Sequence, residues 1–169
     1  MNTTVGVFPT HDEAESAINE LRAFGVKEAD LSYLYIDIDG KMHDDVSKVG
    51  SGATSGATTG AVIGAIAGLA VANGVLPGLG TLFVAGPLAT ALGLTGAVAT
   101  TAAGAATGLA AGGLLGAFTK IGIDSKDATM YQSLVERGDI LVVAKSNDLL
   151  TKDVFIKAGA KEIREYTEI

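Results

Sequence analysis

Apolar and polar positions change rhythm several times along this chain. Thr3 to Phe8 (TTVGVF) is short, β-branched and aromatic, and it stops at Pro9, as a strand would. Thr10 and Glu13 spell the T-x-x-E capping box, in which each side chain satisfies an otherwise unpaired backbone N–H. Ala14, Ala17, Ile18, Leu21 and Phe24 then recur at helical spacing until Gly25, which suits the left-handed position past a helix end. Leu31 to Ile38 (LSYLYIDI) predicts a second strand, closed by a turn at Asp39-Gly40. Near the other end, Asp124 or Ser125 caps a helix with Ala128, Tyr131, Leu134 and Val135 on one face and Gly138 as its stop. Ile140 to Ala144 is a continuous apolar run, the pattern of a buried central strand. Asn147 is placed to cap a further helix carrying Leu150, Val154, Phe155 and Ala158, ending at Gly159, and KEIREYTEI alternates as a final half-exposed strand.

These outer parts read as two similar β-α-β units. Two such units pack most simply as a ferredoxin-like α+β domain, a four-stranded antiparallel sheet with helices on one face, because both right-handed crossovers then cover the same side. The domain is discontinuous, residues 1–48 and 119–169, with residues 49–118 inserted between its halves. Inside the insert a different period takes over. Gly52, Gly56, Gly60, Gly64 and Gly68 recur every fourth residue, and Gly104, Gly108, Gly112 and Gly116 repeat that spacing. Glycine costs a helix roughly 1 kcal/mol relative to alanine. A stripe of glycines on one face is therefore expected only where another backbone must come close, as in small-xxx-small packing. The expected form is a helical hairpin with two zippered arms, each about 30 Å long. Between the arms, Pro77 and Pro87 mark a turn and a short broken helix.

Charge sharpens the division. The chain has 12 Lys and Arg and 19 Asp and Glu, yet the 71 residues from Val49 to Thr119 carry none of them and hold 17 of the 23 glycines. The net charge of −7 comes with no dense basic run, so neither nucleic acid nor an anionic lipid grip is expected. There is no cysteine, and MNTTVGVFPTHDEAES lacks the basic and apolar regions of a signal peptide. An insert of this length without charge, flanked by Lys48 and Lys120, points to a two-span membrane hairpin with the charged domain on the cytoplasmic side. Against that, Val98 and Leu109 are the only large apolar residues from Ala97 to Gly113, and no Trp or Tyr marks an interface. The alternative is a soluble cytoplasmic assembly with the inserts as its dry core.

Candidate chemistry is sparse. Asp37, Asp39 and Gly40 resemble the start of a calcium loop, but aligning Gly40 puts Tyr35 and Val46 at the first and last ligand positions. His43 with Asp44 and Asp45, and His11 with Asp12, read as solvated surface groups rather than a metal site. No glycine cluster has phosphate-cradling spacing, and Arg137-Gly138-Asp139, although it spells an adhesion tripeptide, is explained by Gly138 as a helix stop. Tyr33, Tyr35 and Tyr166 are candidates for an aromatic platform, beside the plainer reading as cross-strand packing. No metal, cofactor or catalytic residue is expected, and no small-molecule ligand is assigned.

The order VGVFPTHDEAESAINELRAFG, glycine-zipper insert, GIDSKDATMYQSLVERGDILVVA resembles the bacterial general-stress and low-temperature-induced small proteins. It is also similar to glycine-rich bacterial membrane proteins of unknown function, with YQSLVERGDILVVA the most specific part. The resemblance implies a stress-associated role and a hairpin in or against a membrane, and it brings no site residues with it. Together these readings lead to a non-enzymatic, self-assembling structural protein, with itself and a lipid bilayer as partners. The rival expectations are a soluble cage, ring or filament, and a membrane-anchored ligand-binding or sensor module.

Overall fold

The computed structural model describes residues 1–37, 71–76, 80–92, 113–147 and 149–167. Its strands are β1 (Asn2–Phe8), β2 (Leu31–Asp37), β3 (Val71–Leu76), β4 (Gly80–Ala85), β5 (Ile140–Ser146) and β6 (Glu162–Thr167). Its α-helices are α1 (His11–Ala23), α2 (Pro87–Ala91), α3 (Gly113–Lys120), α4 (Ser125–Glu136) and α5 (Leu150–Lys157). The protein is α+β, and all six strands form one sheet in the order β3-β4-β2-β5-β1-β6 with every neighbouring pair antiparallel.

Local chemistry accounts for most element ends. Thr10 caps α1 by accepting the Glu13 N–H at 3.4 Å, but the Glu13 carboxylate takes the Thr10 hydroxyl at 2.8 Å rather than its backbone N–H, so the capping box is only half made. Asp124 caps α4, its carboxylate accepting from the Lys126 N–H at 2.8 Å. Asn147 does not cap α5, which starts after Leu149 without a side-chain cap. Pro87 stands at the first position of α2, where its missing N–H is no loss. The hydroxyl of Ser32 on β2 reaches across to accept the Leu88 N–H at 3.2 Å, serving as that helix's cap from another element.

The pleat of the sheet separates two cores. On one face Phe8, Tyr33, Val142 and Ala144 pack beneath Ala14, Ile18 and Leu21 of α1 and Val154 and Phe155 of α5. On the other, Val5, Val7, Leu34, Ile36, Leu82, Val84, Leu141 and Val143 meet Leu88 of α2, Leu114 and Phe118 of α3, and Tyr131 and Val135 of α4. Gly6 has no side chain because a Cβ there would come 2.7 Å from the Phe155 ring, which itself meets Phe8 edge-on at 5.5 Å.

Three expectations are corrected by this arrangement. The sheet has six strands rather than four, because VANGVL and GTLFVA inside the charge-free insert form an antiparallel hairpin whose second strand pairs with β2. Helices cover both faces rather than one, because α2, α3 and α4 fill the side left bare by α1 and α5. Residues 71–76 and 80–92, expected as a turn and a short broken helix, are consequently strand and short helix built into the same sheet. The glycine arms themselves fall outside the described residues, apart from Gly116. Among the described residues, no helix is long and apolar enough to cross a membrane.

Candidate functional site

Of the residues expected to pack helices, Gly52, Gly56, Gly60, Gly64, Gly68, Gly104, Gly108 and Gly112 lie outside the described residues, as does Pro77. Gly116 lies in α3, where no described atom stands within 4 Å of the place a Cβ would occupy. Pro87 follows Gly86, whose φ of 75° and ψ of −155° belong to a region that essentially only glycine enters. A Cβ at Gly86 would sit 1.8 Å from the Leu31 carbonyl oxygen, so this turn is where the insert's chain is pressed against β2.

The three tyrosines do not form one platform. Tyr33 and Tyr35 are two apart on β2 and share the α1 face, whereas Tyr166 on β6 points to the α4 face. Alternation along a strand sets the face, and sequence alone does not give the relative parity of two strands that are not neighbours. Each group of tyrosines instead joins a helix. At the start of α1, the Tyr33 hydroxyl is 2.6 Å from His11 Nδ1, and the His11 ring stands edge-on to Tyr35 at 4.4 Å. His11 is therefore half-buried against β2 rather than a solvated surface group. Burial raises the Tyr33 pKa well above the usual phenol value, with Tyr35 and Glu15 adding to the rise. That cluster pins the first turn of α1 to the sheet.

At the opposite edge, the Tyr166 hydroxyl donates to Asp127 Oδ2 at 2.7 Å and lies 3.1 Å from the Tyr131 hydroxyl. A phenol has one proton, so with Asp127 taking that of Tyr166 the Tyr131 hydroxyl is the donor in the second bond. Arg164 completes the group, bonding Asp127 Oδ1 at 2.6 Å and Glu162 Oε1 at 3.0 Å. Burial pushes the Tyr131 pKa up to about 12 and raises that of Tyr166 as well. These groups latch β6, whose strand partner among the described residues is β1, onto α4. Asp139 of the Arg137-Gly138-Asp139 tripeptide pairs with Lys161 at 2.5 Å, and Gly138 has the positive φ of a helix stop.

Both clusters spend their polar atoms on joining elements, and His43, Asp44 and Asp45 lie outside the described residues. Among the described residues, no group of three or more acidic, His or Cys side chains could hold a metal ion. No family model, curated protein or solved structure matches this chain.

Proposed function

We propose that this chain is a non-enzymatic structural protein that assembles with copies of itself through its glycine-striped segments, as a protein-only particle rather than a membrane hairpin. The observation that carries this reading is the pairing of β4 with β2. A hairpin crossing a bilayer twice would put residues 71–92 on the far side from β2, to which β4 is hydrogen-bonded. The elements on either side of residues 38–70, and those on either side of residues 93–112, belong to one packed body, whereas a single span of about 20 residues would set its two ends on opposite sides of a bilayer. Any contact with a bilayer is then made from one side, and the small residues serve helix packing between chains.

The outer elements β1, α1, β2, β5, α5 and β6 are read as a ferredoxin-like unit. What supports this is their neighbour order, β2-β5-β1-β6, with α1 and α5 on one face. The hairpin β3-β4 extends that unit at β2, and α2, α3 and α4 add a second helical layer. A stress-associated role rests on the resemblance in the sequence alone.

The experiment is sedimentation of the detergent-free protein beside Gly60→Leu and Gly64→Leu. A large, uniform particle is expected for the parent, and a smaller species with unchanged thermal unfolding of the sheet domain for either variant. An unchanged particle in both variants would sink the self-assembly reading, and recovery of the parent only in carbonate-washed membranes would sink the protein-only one.

A further inference from the structure

We propose that a second copy of this chain docks at β6, its own β6 adding antiparallel to the sheet about a two-fold axis at Ile163, with the two α5 helices packed side by side above the junction. This contact between copies is separate from the one assigned to the glycine segments.

The order of charges along β6 selects the occupant. β6 ends the strand order on its side of the sheet among the described residues, and Lys161, Arg164, Glu165 and Thr167 along it are exposed. Charges on an edge strand ordinarily deter pairing. Here Lys161-Glu162-Ile163-Arg164-Glu165 reverses its signs about Ile163. In an antiparallel pair centred there, Glu162 stands opposite Arg164 of the other copy and Lys161 opposite Glu165, each match made twice, with Ile163 opposite itself. Centring instead on Glu162, Arg164 or Glu165 sets that residue against its own charge, which is unfavourable. The charges that exclude those registers therefore favour this one. The faces also agree. Ile163 lies in the α1 and α5 layer and Tyr166 in the α4 layer, so a two-fold axis perpendicular to the sheet joins like face to like.

The helix above this edge carries an independent mark. Lys152 of α5 reaches Glu165 of β6 at 3.6 Å, which fixes the side of the helix that looks toward the edge. Leu149 and Ile156 stand three residues before and four after Lys152 and share that side, yet they are 81% and 58% exposed. Pairing at β6 brings these side chains together. α5 packs over β1 and β6. With strands about 4.8 Å apart, the added β6 sets the two α5 axes about 10 Å from each other, close to the spacing of packed helices. α5 joins the parallel strands β5 and β6 and so runs back against them. Glu165 to Ile163 is about 7 Å along the strand and Lys152 to Ile156 about 6 Å along the helix. Ile156 is thus level with the axis and meets its own copy.

Because the chain contains no cysteine, one introduced cysteine reports contact between copies. Full-length Ile156→Cys treated with a short bis-maleimide is expected to give a covalent dimer. Its yield should be several-fold above that of Leu115→Cys, whose side chain is exposed on α3 in the opposite layer. Adding Glu165→Lys to Ile156→Cys should cut the dimer several-fold, and adding Lys161→Glu as well should restore it. Within one chain these two changes set like charges against Lys152 and Asp139, so recovery reads pairing between copies and not repair of the monomer. If Glu165→Lys does not fold, the comparison of Ile156→Cys with Leu115→Cys decides alone. No dimer from Ile156→Cys, equal yields from the two cysteines, or folded variants in which Lys161→Glu restores nothing overturns the proposal. The Ile156→Cys dimer is expected to persist in a Gly60→Leu background, whatever becomes of the larger particle there. Its loss in that background would assign the contact to the glycine segments and overturn the proposal too.

Discussion

Gly86 is the residue on which the joining of insert and outer domain turns. Its backbone occupies a region closed to side chains, and its Cα faces the Leu31 carbonyl at a distance that leaves no room for a methyl group. Two penalties therefore coincide in Gly86→Ala, a conformational one of about 1–3 kcal/mol and a steric one of similar size. We expect urea unfolding of Gly86→Ala to show a loss of more than about 3 kcal/mol, or no folded protein. Gly25→Ala has the same sign of φ but meets open space among the described atoms, so it should lose less. Equal losses in the two variants would mean that contact with β2 contributes nothing.

At the scale of elements, what holds each helix to the sheet is a mixture of apolar packing and a few buried hydroxyls. The Tyr131 phenol illustrates how that mixture responds to pH. Burial raises its folded pKa to about 12, above the ordinary value near 10. A group that holds its proton more tightly when folded contributes its full stability below the unfolded pKa, and loses it as pH rises through the folded one. Stability should therefore fall as pH climbs from about 10 toward 12. Chemical denaturation midpoints across that window should show a shallower decline in Tyr131→Phe than in the parent protein. An identical decline would show that Tyr131 ionises alike in both states. The elements legible in the sequence were those with a clear period and a clear stop. The Ala14, Ala17, Ile18 and Leu21 stripe and the apolar run at Ile140 fall where expected. β3 and β4 were hidden because VANGVLPGLGTLFVA neither alternates nor is set off in composition from the glycine-rich sequence around it, and its pairing partner lies more than forty residues away on β2. The stripe of glycines expected as the site lies outside the described residues apart from Gly116, and the Tyr166 to Asp127 contact joins residues 39 apart and has no local signal.

For the whole molecule, the charge-free block and the charged ends are parts of one packed body over the described residues. Leu34 and Ile36 on β2 are fully buried by neighbours that include α2 and α3, both inside the stretch that composition sets apart. Excising residues 49–118 as though they were an independent insert should therefore expose that face, and the product should aggregate or melt without a cooperative transition. Replacing only residues 93–112 with a short flexible linker should leave a cooperative transition, read by circular dichroism. A cooperatively folded 49–118 deletion would show that β3, β4 and α2 are dispensable to the sheet. The strand order has one more consequence, for synthesis. β5 sits between β1 and β2 but follows β2 in the chain by about 100 residues, which take a ribosome roughly 5–20 s to make. Throughout that interval the nascent chain presents two apolar strands whose shared neighbour does not yet exist. Until β5 emerges, the edges of β1 and β2 that it will cover stay open to pairing with other strands.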